Sequence, residues 1–435
     1  MIEQPAKKIT GEITLSPEIQ EITSSLHGVE GVQNLLQQEQ EDGDMTRQLS
    51  LLFSSAIHLD ASDIHLEPEE DGIALRLRID GILQDTARLS SENFQRLLSR
   101  IKLLSGLKLN VEGRPQDGRL TLLSPDPIEI RVATLPSEYG ESVVLRVLNP
   151  KRLVLLSGLG LRKDLKELFL KEIRRPHGMI LVTGPTGSGK TTTLYAFLKE
   201  TQSTEAKIIT IEDPIEYHLE GISQTQANPA QEYTFASGLR AIVRQDPDVI
   251  LVGEMRDEET VEIALQASLT GHLVFSTLHA NDAPSTISRL LSLGGSPVNI
   301  ASALRLAIAQ RLVRKVCEKC TTTTPPTQEE LEVLEEGLKT VLLDLKPVID
   351  KTLRIPRAVG CSLCNNTGYK GRVGIFEAMQ GGEELGEIIF ASSSPATIRA
   401  FAIKKGMIPL YQDGLLKVLE GVTTLEEVRR VASEE

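Results

Sequence analysis

Gly184-Pro185-Thr186-Gly187-Ser188-Gly189-Lys190-Thr191 stands between an apolar run, Met179-Ile180-Leu181-Val182, and a helix-patterned segment, Thr192–Glu200. Every position of the phosphate-binding loop pattern is filled, and strand, turn and helix follow in the order that pattern needs. Glycines let backbone N–H groups turn toward phosphate oxygens, Lys190 reaches the β- and γ-phosphates, and the Thr191 hydroxyl is placed to ligate Mg²⁺. The stretch predicts a nucleoside triphosphate site over Gly184, Pro185, Thr186, Gly187, Ser188, Gly189, Lys190, Thr191 and Thr192, with Mg²⁺ as its companion ion.

Downstream, Lys207–Ile211, Val249–Val252 and Leu273–Ser276 are short apolar runs separated by helical patterns such as Glu258–Leu269. This alternation predicts βαβ units, hence an α/β domain with a mostly parallel sheet and helices on both faces. Ligands of such sheets bind at the carboxyl edge, so the residues that end these strands are the candidates for chemistry. Glu254 follows Val249–Val252 and is the leading catalytic carboxylate, acting on Mg²⁺ or water. Glu212 and Asp213 follow Lys207–Ile211; Glu212 either orients the attacking water or belongs to a turn begun by Asp213-Pro214. His272 and His279 flank Leu273–Ser276, where they either hydrogen-bond the γ-phosphate or serve the structure. Asn299–Val313 has apolar residues at helical spacing with Arg305 and Arg311 among them, which predicts a surface or interface helix.

Upstream, Ile73, Leu75, Leu77 and Ile79 alternate with Arg76, Arg78 and Asp80, the pattern of a half-buried strand, and Asp80-Gly81 offers a hairpin turn. Ser91–Leu107 reads as an amphipathic helix, and Ile128–Val132 and Val143–Val147 as further strands, so this first domain is α+β. Gln37–Asp44 is polar and aperiodic, which predicts an arm and linker of poor order before it. Pro150, Gly158 and Gly160 mark Asn149–Gly160 as a hinge. The expected divisions are an arm at 1–45, the α+β domain at 46–150, a hinge at 151–158, the nucleotide-binding domain at 159–316, a zinc element at 317–372 and a mainly helical region at 373–435.

All four cysteines of the chain fall in two pairs, Cys317-x-x-Cys320 and Cys361-x-x-Cys364, the spacing of metal knuckles. Four thiolates close a tetrahedral Zn²⁺ site, which would be structural; redox or unliganded thiols are the other reading of the pairs, because Thr321–Gly360 is a long spacer.

Phosphoryl transfer spreads negative charge, and an arginine supplied in trans raises rates by on the order of 10³ to 10⁵. Arg114, Arg119, Arg131, Arg240, Arg244 and Arg256 are candidates, although by composition alone each reads first as a surface charge.

The 435 residues suggest about three domains. A net charge of −13, from 60 acidic and 47 basic residues, gives no overall basic footprint for nucleic acid or anionic lipid. With 3% aromatics and no Trp, stacking platforms for single-stranded nucleic acid are lacking, which argues against a translocase of DNA. No apolar stretch approaches the ~20 residues of a membrane span, and the N-terminus lacks the apolar core of a signal peptide, so a cytoplasmic protein is expected.

Taken together, these stretches resemble the secretion ATPases of the type II secretion and type IV pilus assembly systems. Ser62-Asp-Ile-His-Leu-Glu-Pro68 and Arg114-Pro-Gln-Asp-Gly-Arg119 resemble that family's signatures before the motor. Ile211-Glu-Asp-Pro-Ile-Glu216 resembles its Asp box, Gly253-Glu-Met-Arg-Asp257 its Walker B, and Thr270-Gly-His through Thr277-Leu-His279 its His box. The Cys pairs with Gly368-Tyr-Lys-Gly-Arg372 resemble its tetracysteine zinc element.

The resemblance implies a RecA-like ATPase domain after a smaller PAS-like domain, and a homo-hexameric ring with ATP between the two domains of a subunit. It makes Glu254 and Glu212 the catalytic acids, and His272 and His279 nucleotide-state sensors. Arg119, Arg131, Arg240 and Arg244 become phosphate or intersubunit arginines. The partners implied are an inner-membrane platform protein and the cytoplasmic domain of a membrane anchor, with the protein peripheral to the inner membrane. Leu219-Glu-Gly-Ile-Ser-Gln-Thr-Gln226 and Gln266-Ala-Ser-Leu-Thr-Gly271 lean toward the type II secretion branch. The region before Ser62 is shorter than the family's docking domain, and the spacer between the Cys pairs is enlarged by an acidic, helix-patterned part, Gln328–Asp344.

Overall fold

The computed structural model describes residues 11–39, 44–124, 126–341, 349–350, 352–391 and 394–432. The chain forms two compact units, one of residues up to Arg152 together with Val359–Lys370, the other of Leu153–Ala358 together with residues from Gly371 onward.

The first unit begins with β1 (Glu12–Thr14), α1 (Pro17–Ser24), α2 (Gly28–Glu39) and α3 (Met45–His58). There follow β2 (Ala61–Glu69), β3 (Gly72–Ile79), β4 (Ile82–Leu89), α4 (Ser91–Leu104), β5 (Gln116–Leu123), β6 (Ile128–Ser137) and β7 (Gly140–Leu148). The seven strands form one sheet in the order β1-β5-β6-β7-β2-β3-β4, parallel only between β1 and β5. Ile73, Leu75, Leu77 and Ile79 are buried as their alternation requires. Asp80 (φ 50°) and Gly81 (φ 84°) adopt the left-handed conformation that a two-residue hairpin needs. The strands' apolar faces meet Phe53 of α3 and Phe94, Leu97 and Ile101 of α4 in one core.

The arm expected before residue 46 is corrected by this core. Ile13, Leu15, Val32 and Leu36 are buried in it, and Ser16 caps α1 by accepting the Ile19 N–H at 3.3 Å. Few apolar residues serve these short elements, because the rest of their core comes from strands distant in the chain. Of the polar stretch Gln37–Asp44, residues 40–43 lie outside the described residues.

The second unit contains α5 (Lys163–Ile173), β8 (Gly178–Thr183), α6 (Lys190–Thr201), β9 (Ile208–Glu212), β10 (Ser223–Gln226), α7 (Phe235–Val243) and β11 (Val249–Val252). It continues with α8 (Glu258–Leu269), β12 (Leu273–Leu278), α9 (Ser285–Ser292), α10 (Pro297–Ala303), β13 (Leu304–Val316), β14 (Thr322–Thr324), α11 (Gln328–Gly337) and β15 (Ile355–Arg357). The last elements are β16 (Tyr369–Gln380), α12 (Glu383–Ala391), α13 (Pro395–Lys404), α14 (Leu410–Leu419) and α15 (Leu425–Ala432). Seven strands run in the order β10-β9-β11-β12-β8-β13-β16, and neighbours from β10 to β13 are parallel. Successive strand residues serve opposite faces. Met179, Leu181, Ile250, Val252 and Val274 pack with Leu239, Val261 and Ile287, whereas Ile180, Val182, Leu251 and Phe275 pack with Phe169, Leu194 and Phe197. Helices thus cover both faces, as the βαβ pattern predicted.

The helix expected over Asn299–Val313 is also corrected. α10 stops at Ala303, and Leu304–Val316 is strand β13, paired in parallel with β8. A short apolar run does not by itself distinguish buried strand from helix, and here the free edge of β8 decides. The region after residue 373 is not wholly helical: it opens with the remainder of β16, which belongs to the large sheet, before α12 to α15. Within the acidic spacer, α11 is capped by Thr327 and Glu330 in a reciprocal box, and residues 342–348 lie outside the described residues. No helix among the described residues is long and apolar enough to cross a membrane.

Candidate active site

β8 ends at Thr183 and delivers the chain into the glycine-rich loop read as the phosphate loop, after which Lys190 starts α6. Gly184, Gly187 and Gly189 all have positive φ (148°, 79° and 88°). At Gly184 a Cβ would also lie 2.6 Å from the Gln310 carbonyl oxygen and the Ser188 hydroxyl, so glycine is required twice over. The Ser188 Oγ is buried without a partner, and the Lys190 ammonium turns back onto the Gly184 and Pro185 carbonyls at 2.8 and 3.1 Å. Burial pushes the Lys190 pKa down, Glu254 opposes that shift and Arg311 adds to it. A polyanion in this loop would relieve two conditions, a cation short of counter-charge and an orphaned hydroxyl. Thr191 is exposed, Thr192 is half-buried, and Thr193 is buried, donating to Gln310 Oε1 at 2.7 Å.

Glu254 stands two residues beyond β11. That turn is locked to β12: the Ser276 and Thr277 hydroxyls donate to the Val252 and Gly253 carbonyls at 2.7 Å, and the Met255 N–H reaches Thr277 O at 3.1 Å. The carboxylate pairs with Arg256 at 2.5 Å and lies 3.5 Å from His279 Nε2. The Arg256 guanidinium is held above its ordinary pKa by the hydrogen bond to Glu254. Of the arginine candidates, Arg256 is therefore engaged by Glu254 of its own chain.

Glu212 ends β9 and is buried. Tyr195 donates to its Oε2, while Thr210 and Gln224 donate to Oε1 at 2.6 and 3.2 Å. Burial pushes both the Glu212 carboxyl and the Tyr195 hydroxyl upward in pKa. These contacts tie the end of β9 to α6 and β10. The Asp213–Pro214 peptide that follows is cis.

The two histidines occupy opposite ends of β12, roughly 20 Å apart at the rise of an extended strand. The His272 carbonyl accepts the Gly178 N–H at the start of β8, and its Nδ1 lies 3.0 Å from Ala267 O. That is the amino edge of the sheet, so within this chain His272 stands apart from the phosphate loop and only His279 meets Glu254.

Arg240 on α7 pairs with Glu259, and Arg244 is exposed at the end of the same helix. Arg119 and Arg131 are directly opposed across β5 and β6; Arg119 is exposed, and Arg131 lies 3.6 Å from Glu129. Arg114 is exposed.

Three residues outside the sequence candidates complete the surroundings. Gln310 and Arg311 come from β13, and buried Glu377 from β16 accepts the Ala283 and Leu410 N–H groups at 2.8 and 3.2 Å. A charged or amide residue within an otherwise apolar run was their one sequence signal.

The Sγ atoms of Cys317, Cys320, Cys361 and Cys364 lie within 4.8 Å of one another, those of Cys361 and Cys364 at 3.7 Å. A tetrahedral site with Zn–S bonds of about 2.3 Å separates its sulfurs by roughly 3.8 Å, so the donor set fits Zn²⁺. The Cys361 and Gly368 N–H groups point at the Cys364 sulfur at 3.1 and 3.3 Å, as a thiolate ligand would require.

A profile of the family described as "Type II/IV secretion system protein" matches residues 38–430. The chain is 44% identical to the "Type II secretion system ATPase E" of Vibrio cholerae serotype O1 over 405 residues, 92% of this chain and 78% of that protein. It is 42% identical to the "Type IV pilus assembly ATPase PilB" of Pseudomonas aeruginosa over 399 residues, 91% of this chain and 69% of that one. Among solved structures it is similar to the pilus retraction motor PilT with bound ADP, with a TM-score of 0.58 and 29% identity, over 87% of this chain and 95% of that one.

Proposed function

This chain belongs to the type II/IV secretion system protein family, and from that premise we propose that it is the motor ATPase of a type II secretion machine, in which ATP hydrolysis drives a domain motion that assembles pilin-like subunits and exports protein. One observation carries the reading. The phosphate loop with Lys190, the carboxylate Glu254 and the imidazole of His279 converge at one edge of the parallel sheet.

The chain's own groups divide the work. Lys190 leaves the Gly184 and Pro185 carbonyls for the β- and γ-phosphate oxygens, and loop N–H groups take the remainder. Glu254, held rigidly by β12, orients the attacking water, and His279 hydrogen-bonds near the terminal phosphoryl. Glu212 acts by fixing β9 against α6. Thr191 would hold Mg²⁺, which would supply positive charge to the bound phosphates. Zn²⁺ on the four cysteines is structural.

The working particle is a homo-hexamer with a RecA-like ATPase domain, in which Arg119, Arg131, Arg240 and Arg244 supply positive charge to nucleotide or to neighbouring subunits. It works in the cytoplasm, peripheral to the inner membrane, through a platform protein and the cytoplasmic domain of a membrane anchor. Assembly of a type IV pilus is the second reading, favoured by the nearly equal identity to the pilus assembly ATPase.

The test is Mg-dependent ATP hydrolysis by the purified chain, Lys190→Ala and Glu254→Gln. Turnover is lost in both variants, and unchanged turnover in both would refute the site. In cells deleted for either system's ATPase, restored secretion rather than restored piliation separates the two readings.

A further inference from the structure

Arg311 lies on β13 and borders the phosphate loop. A Cβ at Gly184 would sit 3.1 Å from its Nη1, and its charge is felt at the Lys190 ammonium. The side chain is half-buried, and burial lowers its pKa. Its hydrogen bonds go to backbone carbonyls alone: Nη1 to Gln310 O at 3.1 Å and Nη2 to Asn281 O at 2.8 Å. Among the described residues no carboxylate is in hydrogen-bond contact with it; Glu377 and Asp282 act on it only through space.

A guanidinium placed beside a phosphate loop with neutral acceptors only is an incomplete anion site, because carbonyls offset little of the cost of burying a full charge. The planar fork matters as well. One amino group faces the loop while the other holds Asn281, two residues beyond His279.

Resting on the nucleotide reading above, we infer that Arg311 is a further nucleotide-binding residue, whose Nη1 leaves the Gln310 carbonyl for a terminal phosphate oxygen while Nη2 keeps the Asn281 carbonyl. The nucleotide and the loop carrying His279 are then joined by one rigid side chain. A lysine supplies the charge at a single point and does not span both partners. Loss of the arginine lowers affinity, and replacement by lysine lowers the efficiency of the bound state.

The experiment measures binding of a non-hydrolysable ATP analogue with Mg²⁺, and steady-state hydrolysis, for the wild-type chain, Lys190→Ala, Arg311→Gln and Arg311→Lys. Arg311→Gln weakens binding by about tenfold or more, as loss of one charge-assisted hydrogen bond requires. Arg311→Lys binds nearly as tightly as wild type, with kcat lower by about tenfold. Failure of the wild type to bind, or equal binding by Lys190→Ala, overturns the nucleotide reading itself. Selective loss in Lys190→Ala together with wild-type affinity in Arg311→Gln, or wild-type kcat in Arg311→Lys, overturns the role of Arg311. Thermal unfolding without nucleotide checks the fold of each variant; should Arg311→Gln unfold, the kcat of Arg311→Lys decides.

Discussion

The Thr183 hydroxyl, on the last residue of β8, accepts the Ala280 N–H at 2.7 Å and has its one proton within reach of the Ala280 and Leu278 carbonyls at 2.9 and 3.0 Å. The residue that opens the phosphate loop thus holds both neighbours of His279. A shift of the loop should therefore reach the imidazole beside Glu254 through these hydrogen bonds. Thr183→Val, which keeps the shape and removes the hydroxyl, leaves the half-buried Ala280 N–H unpaired and should cost about 1 kcal/mol of stability. Turnover should fall with it, while Thr183→Ser should preserve both. Denaturant unfolding and ATP hydrolysis measured side by side check this, and equal kcat in the valine variant would break the link.

The separation of the two histidines along β12 gives a direct comparison. His279→Ala should lower kcat by about tenfold or more, the scale of a lost hydrogen bond near the transferring group. His272→Ala, at the far edge of the sheet, should leave kcat near that of the parent. The reverse ranking would contradict the placement of His272.

Glu212 gives a pH dependence. Burial raises its pKa, so the folded chain holds that proton more tightly than the unfolded chain, whose carboxyl titrates near about pH 4.3. Its contribution is therefore full below about pH 4.3 and is lost as pH rises through the higher folded value. Glu212→Gln removes the titration, so its stability should decline less than that of wild type between about pH 4 and about pH 8. Urea unfolding across that range reads the difference, and parallel curves would reject it.

The four thiols predict one tightly held zinc per chain. Metal analysis should find it, and strong chelator or Cys364→Ser should lower the melting temperature, because a structural zinc contributes folding free energy directly. Hydrolysis should decline only as the fold is lost. Zinc content near zero in protein purified without chelator would count against the assignment.

Much of the local structure around the candidate site was legible in the sequence. Gly184 to Thr191 is a local pattern in which loop conformation and ligand contacts come from adjacent residues, so consecutive sequence carries it whole. The strands ending at Glu212 and Val252 were visible because fully buried parallel strands are short apolar runs. Arg311 was not legible as a site residue: at helical spacing it reads as a surface charge, and only pairing of β13 with β8 brings it to Gly184. The histidines show the same limit. Both flank one strand in sequence, yet a parallel sheet has a carboxyl edge and an amino edge, and only one of them carries the loop.

The amino-acid sequence alone determined the glycine-rich turn between β8 and α6, the βαβ order, the strand-end position of Glu254 and the paired cysteines, since each depends on spacing within a few residues or on short-range periodicity. Tertiary structure decided which of the strand-end groups meet. It set Glu254 against His279 and Arg256, enclosed Glu212 among Tyr195, Thr210 and Gln224, and turned Leu304–Val316 from helix to strand. The reason is physical: contacts between strands, the burial that shifts a pKa and the choice between helix and strand for an apolar run all depend on neighbours far away in the chain.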